Sequence, residues 1–120
     1  MDYKAQMPVD AFEVGTAVEL SVVLPVYNEK DNLLQVYGEL KTTLDGIGRS
    51  YEILFVDDGS NDGSVDVLEQ ISTTDVNVRA VQFRRNFGQT AALAAGLDLS
   101  RGDVIITLDA DLQNDPSDIP

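Results

Sequence analysis

The sequence contains no cysteine, no histidine and no tryptophan. Without cysteine there is no disulfide framework, no thiolate metal site and no sulfur nucleophile. Without histidine, Ser-His-Asp chemistry and imidazole-based zinc sites are excluded. Positive charge is scarce: 8 Lys and Arg stand against 21 Asp and Glu, a net charge of -13. Nucleic acid and anionic lipid are therefore poor partners for this surface, whereas a cationic ligand or a divalent metal ion suits it. Long apolar runs are missing too. The longest nearly unbroken one, residues 22–27, falls far short of the ~20 residues of a membrane-spanning helix. Residues 1–19 lack a basic stretch followed by an apolar one, so they do not read as a signal peptide and are expected to form a loosely held arm. The chain shows no internal repeat and no low-complexity segment.

What is present is a globular composition, 43% hydrophobic and 24% charged over 120 residues, which suits one domain around one core. Four short apolar runs, residues 20–26, 51–56, 78–83 and 103–108, read as strands. They are rich in β-branched residues with little polar alternation, the pattern of strands buried on both faces. Amphipathic stretches separate them. Leu33, Val36, Tyr37, Leu40, Leu44 and Ile47 recur on one helical face, and Gly46 and Gly48 can end that helix. Val65, Leu68 and Ile71 mark a second helix, and the alanine-rich residues 89–99 a third. Alternating strands and helices predict an α/β fold with a mainly parallel sheet and right-handed crossovers.

The polar residues gather where the strands end. Tyr27, Asn28 and Glu29 follow the first strand, and Asp57, Asp58, Gly59 and Ser60 the second. Arg84, Arg85 and Asn86 follow the third, and Asp109, Ala110 and Asp111 the fourth. In open α/β sheets ligands bind outside the carboxyl ends of the strands, so this edge is the candidate site.

Each cluster has a functional and a structural reading. If the backbone stays extended past the fourth strand, Asp109, Asp111 and Gln113 place two carboxylates and an amide oxygen on one side. Such oxygen donors suit Mg2+ or Mn2+. Two carboxylates about 4 Å apart repel by roughly 4 kcal/mol at an effective dielectric of 20, so a cation or a proton belongs between them. The plainer reading is a turn, which the residue types of Asn114, Asp115 and Pro116 favour. Asp58 reads as facing a ligand and Asp57 as structural, with Ser60, Asn61 or Asp62 capping the next helix. Pro25 lacks an N–H and suggests that the ladder ends near it. Tyr27 can stack on a base, or simply pack at the rim while Asn28 caps the first helix. Arg84 and Arg85 can face a diphosphate or form surface ion pairs. Gly88 and Gln89 open the third helix and offer its free N–H groups, a weak anion site.

Four segments resemble family 2 glycosyltransferases of the GT-A fold in wording, order and spacing. They are residues 21–29 (SVVLPVYNE), 55–63 (FVDDGSNDG), 85–89 (RNFGQ) and 108–114 (LDADLQN). The last two look most like the polyprenyl-phosphate branch: dolichol-phosphate mannose synthases, bactoprenol glucosyltransferases and the undecaprenyl-phosphate formamido-arabinose transferase. The resemblance implies that Pro25, Tyr27 and Glu29 line a pocket for the base and ribose of a UDP- or GDP-sugar. Val56 and Asp58 would lie against the base, and Asp109 and Ala110 against the ribose and diphosphate. Asp111 would be the main ligand of Mg2+ or Mn2+, supported by Asp109 and Gln113, and would serve catalysis only through that metal. The acceptor would be undecaprenyl or dolichyl phosphate, glycosylated with inversion at a membrane whose cytoplasmic side the catalytic domain faces.

The family's catalytic domain is longer than this chain. Residues 20–120 are therefore expected to be its donor-binding part, weak in nucleotide binding and poor in transfer alone, with an exposed sheet edge prone to self-association. A family 2 domain with a polysaccharide or other acceptor is an alternative. A response-regulator receiver domain is a further one, suggested by Asp57, Asp58 and Asp109. Against it, a strand and a helix precede the acidic pair, and only eleven residues follow Asp109.

Overall fold

The computed structural model describes residues 3–6 and 18–109. Among these residues, five strands and three helices alternate after the first strand: β1 (Tyr3–Gln6), β2 (Leu20–Val26), α1 (Lys30–Ile47), β3 (Tyr51–Asp57), α2 (Ser64–Thr74), β4 (Val78–Phe83), α3 (Gln89–Leu99) and β5 (Val104–Thr107). They form one sheet in the order β1-β4-β3-β2-β5. β2, β3, β4 and β5 run parallel, as expected. β1 was not expected. It lies in the predicted loose arm, yet it pairs antiparallel with β4, with Tyr3 opposite Phe83 and Gln6 opposite Ala80.

Alternation along the strands divides the core in two. Val22, Leu24, Ile53, Phe55 and Ala80 face α1 and α2, where Leu33, Val36, Leu40, Leu44, Leu68 and Ile71 meet them. Val23, Leu54, Val56, Val81 and Phe83 face α3 through Ala92 and Ala95. Small alanines let α3 lie close to the sheet. α1 stops at Gly48, whose backbone is left-handed at φ 78°, the helix end that glycine permits.

β2 and β3 are buried almost throughout, and β4 nearly so. β5 departs from the expectation of burial on both faces. Val104 is 53% and Ile105 40% exposed, because among the described residues β5 pairs with β2 alone and forms an edge. Val104 and Ile105 look like core in sequence and lie exposed at the edge, while Ile106 packs half-buried against the core. Among the described residues, no helix is long and apolar enough to cross a membrane.

Candidate functional site

The chain steps outward from β2 to β3 to β4, then returns to lay β5 on the other side of β2. Strand order reverses between β2 and β5, and at such a reversal a crevice opens at the carboxyl ends of an open sheet. Tyr27 leaves β2 at this crevice, 47% exposed. Asp109 leaves β5 beside it, since the Leu108 N–H donates to the Val23 carbonyl at 3.0 Å. Pro25 fits this geometry for a physical reason. In a parallel ladder the N–H and C=O of one residue point to the same neighbour. Val23 bonds toward β5 and Val26 toward β3, so the missing N–H of Pro25 falls on the β5 side, where pairing has ended at Thr107. The ladder ends at Pro25 on that side only; it continues with β3 through Val26.

Two loops are stitched together beneath Tyr27. Asn28 takes a left-handed backbone, φ 53°. Its N–H donates to Ser60 Oγ at 2.8 Å, and its Oδ1 accepts from the Asn61 N–H at 2.9 Å. The Glu29 N–H donates to Ser64 Oγ at 3.2 Å and the Lys30 N–H to Asp62 Oδ2 at 3.1 Å. So α1 is not capped by Asn28. Its first amides are satisfied from the β3–α2 loop, and Glu29 turns its carboxylate to Asn32 Nδ2 at 2.8 Å. Asp62 serves both helices, its Oδ1 accepting from the Ser64 N–H at 3.0 Å. Slight burial raises the Asp62 carboxyl, but the bonds from Ser64 and Lys30 outweigh it and hold the group below the usual range.

The acidic doublet divides its work in a way sequence reading did not foresee. Asp58 is 3% exposed and turned to residues 86–88. Its Oδ1 accepts from the Phe87 N–H at 2.7 Å, and its Oδ2 from the Gly88 N–H at 3.0 Å and Asn86 Nδ2 at 3.2 Å. This carboxylate is committed to the β4–α3 loop, where the sequence suggested a ligand. Asp57, read as structural, is buried as deeply and braces its own loop. It is 1% exposed; Oδ2 accepts from the Ser60 N–H at 3.0 Å, while Oδ1 is buried with no hydrogen-bond partner among the described residues. Burial, foremost, pushes its carboxyl above the usual range despite bonds from Ser60 and Gly59. Adjacent strand residues face opposite sides, so the two could not share one role. Which side held the free oxygen had no signal in the sequence.

Gly59 makes this packing possible. Its φ is 78°, and a Cβ there would sit 2.3 Å from the Arg85 carbonyl carbon. The two loops thus touch backbone to backbone. Arg85 stacks on Phe87, its guanidinium carbon 4.7 Å from the ring centroid, and Phe87 meets Phe83 edge-on at 5.6 Å. Val56 is buried under α3 and Pro25 is half-buried.

Gln89 is a contact that the sequence did not assign to this acid: its Nε2 donates to Asp109 Oδ1 at 3.2 Å. Ala110, Asp111 and Gln113 lie outside the described residues, so of the expected metal ligands the structure describes Asp109. Two carboxylates and an amide oxygen suit a hard divalent ion by donor chemistry. Among the described residues alone, no group of three or more acidic side chains could hold one.

The sequence profile of glycosyl transferase family 2 matches residues 21–120. Solved structures resemble this fold at low identity. TarS from S. aureus matches with a TM-score of 0.64 and 23% identity over 78% of this chain and 28% of that one. Mannosyl-3-phosphoglycerate synthase from Rubrobacter xylanophilus matches at 0.66 and 23%, over 81% and 32%. The mannosyltransferase PcManGT from Pyrobaculum calidifontis, solved with GDP-Man and Mn2+, matches at 0.59 and 23%, over 81% and 28%. The likeness shows the fold, an α/β Rossmann-like sheet of the GT-A type. The chain spans about a third or less of the length of each of these proteins.

Proposed function

Since the chain belongs to glycosyl transferase family 2, we propose that it is the donor-binding part of an enzyme that moves a sugar from a UDP- or GDP-sugar to a polyprenyl phosphate. The observation that carries this reading is the reversal of strand order between β2 and β5, with Tyr27 and Asp109 leaving the two strands at their carboxyl ends. PcManGT, solved with GDP-Man and Mn2+, supports the donor class and the metal. The polyprenyl-phosphate acceptor rests on the wording of residues 85–89 and 108–114.

Tyr27, exposed at the strand ends, offers a ring for base stacking, with Pro25 and Glu29 around the base and ribose and Val56, buried under α3, only behind them. Asp57, wholly buried, braces the β3–α2 loop through the Ser60 N–H. Asp58, the acid expected at the base, holds residues 86–88 in place and would reach a base only through lone pairs those bonds leave over. Asp109, with Ala110 beside it, would hold the ribose and diphosphate, and Asp109, Asp111 and Gln113 would hold Mg2+ or Mn2+. When bound, that ion neutralises diphosphate charge and eases departure of the nucleoside diphosphate. The exposed Val104 and Ile105 on edge strand β5 support self-association there, which concentration-dependent sedimentation would reveal.

Calorimetric titration of UDP and GDP, with and without Mn2+, tests the reading. Metal-dependent binding lost in Asp111→Ala is the expected result. Failure of a chain that melts cooperatively to bind either nucleotide would overturn the donor site. Transfer from the bound nucleotide's sugar to a polysaccharide and not to a polyprenyl phosphate would overturn the acceptor class.

A further inference from the structure

At the opposite ends of the strands the structure buries a charged cluster that nucleotide binding does not use. Glu52 is 1% exposed and Arg79 2%. Arg79 Nε donates to Glu52 Oε1 at 2.8 Å, and its Nη2 lies 2.6 Å from the same oxygen. Glu52 Oε2 accepts from Ser21 Oγ and from the Arg101 backbone N–H at 2.6 Å. Ser21 Oγ in turn accepts from the Gly102 N–H at 2.7 Å, and Arg79 Nη2 donates to the Leu99 carbonyl. One carboxylate therefore ties β2, β4 and the end of α3 to the link that leads into β5. Burial raises the Glu52 carboxyl, but the bonds from Ser21 and Arg101 and the charge of Arg79 outweigh it and hold the group below the usual range.

A buried ion pair is weak as a source of stability, because well-packed apolar residues of the same volume often do as well. Its use here lies in β5. That strand has four residues, of which only Ile106, with Leu108 beyond the strand, packs against the core, so little apolar pattern pins its register on β2. A slip of one residue would move Asp109 by ~3.3 Å along the strand and turn it to the other face. At the start of β5 the fit is tight: a Cβ on Gly102 would lie 2.6 Å from the Ser21 nitrogen and 2.6 Å from its Oγ.

We propose that Glu52 is a positioning residue, which sets the register of β5 through residues 101–102 and so the height at which Asp109 meets the end of β2. The register claim stands on the geometry above; its consequence for ligand binding rests on the nucleotide reading.

The test uses the full chain, with Glu52→Gln, Gly102→Ala and, as a control, Leu40→Ala in the core on the α1 side. Gly102→Ala shifts the same link while every charge stays, so it decides the matter if Glu52→Gln fails to fold. Amide hydrogen exchange is read across β5 and β3, and Mn2+-dependent UDP affinity is measured on the folded protein. Glu52→Gln is expected to speed exchange in residues 104–109 relative to β3 by about tenfold, the factor one lost charge-assisted hydrogen bond supplies, and to weaken UDP by a similar factor, and Gly102→Ala, through its clash with Ser21, to act in the same direction. The control should shift β3 and β5 together and leave affinity alone. Unchanged exchange in β5 overturns the register claim. Faster exchange in β5 with unaltered affinity overturns the positioning role. Absence of UDP binding in the parent chain condemns the nucleotide reading, while the exchange data still decide the register.

Discussion

Asp58 separates two accounts of the acidic doublet, and its removal can be scaled from the structure. The side chain is 3% exposed and takes hydrogen bonds from the N–H groups of Phe87 and Gly88 and from Asn86 Nδ2. A hydrogen bond to a charged group contributes about 1.5–3 kcal/mol net, and an abandoned buried donor costs a comparable amount. Three such bonds do not add in full, because Asn86 is exposed and Phe87 and Gly88 are half-buried, so water takes up part of the loss. Asp58→Ala is therefore expected to cost about 3–4 kcal/mol, and Asp58→Asn, which keeps one acceptor oxygen, about 2 kcal/mol. At about 0.25 kcal/mol per kelvin of unfolding entropy for a chain of this length, the melting temperature should fall by about 12–16 °C and about 8 °C respectively. Thermal melts by circular dichroism give the shift. Mn2+-dependent UDP titrations well below both melting points give the affinity, which should weaken because residues 86–88 lead into α3. If Asp58→Ala melts within about 2 °C of the parent, a change of about 0.5 kcal/mol, the carboxylate does not hold that loop and the ligand-facing account returns.

Three other outcomes follow from the same packing. Gly59→Ala should cost about 2–3 kcal/mol or more, since the added Cβ meets backbone atoms of Arg85 and Asn86 at 2.3–2.4 Å under a positive φ; an unmoved urea midpoint would contradict the backbone contact. Asp57→Asn should leave stability at neutral pH unchanged or up to about 1 kcal/mol higher, because burial already disfavours the charge. The parent's Asp57 carboxyl sits above its ordinary 3.8. Its contribution is thus full below that pH and is lost as pH rises through the raised value, a slope in urea stability that the amide variant should lack. Tyr37 is pushed from 10.0 up to about 12, first by burial and then by its bond to Asp75. Its contribution is present below pH 10.0 and fades toward about 12. With no tryptophan to obscure the tyrosinate absorbance, Tyr37→Phe should remove a late component from the alkaline titration.

Much of this protein was legible before any coordinates. The bounds of β2, β4 and α3 agree with the apolar runs and the alanine-rich stretch, and the left-handed Gly48 ends α1 where a glycine can. The carboxyl edge was legible as well, because parallel strands put every strand end on one side. These features depend on propensity and periodicity over a few neighbouring residues, which the chain carries with it into any context. Other features depend on partners 27 to 49 residues away, and local pattern is silent about them. Glu52 and Arg79 carry no local mark of their role; their pairing with each other and with Arg101 needs the sheet. Asp62 reaches the first turn of α1 from the β3–α2 loop, 32 residues along the chain. β5 reads as core and lies at an edge, because burial belongs to a place in the sheet and not to the run itself. The doublet shows the division most clearly. Strand alternation alone requires Asp57 and Asp58 to face opposite sides. That α3 and residues 86–88 lie on the Asp58 side, consuming that carboxylate and leaving an Asp57 oxygen unpaired, was decided by how the helices fold back over the sheet.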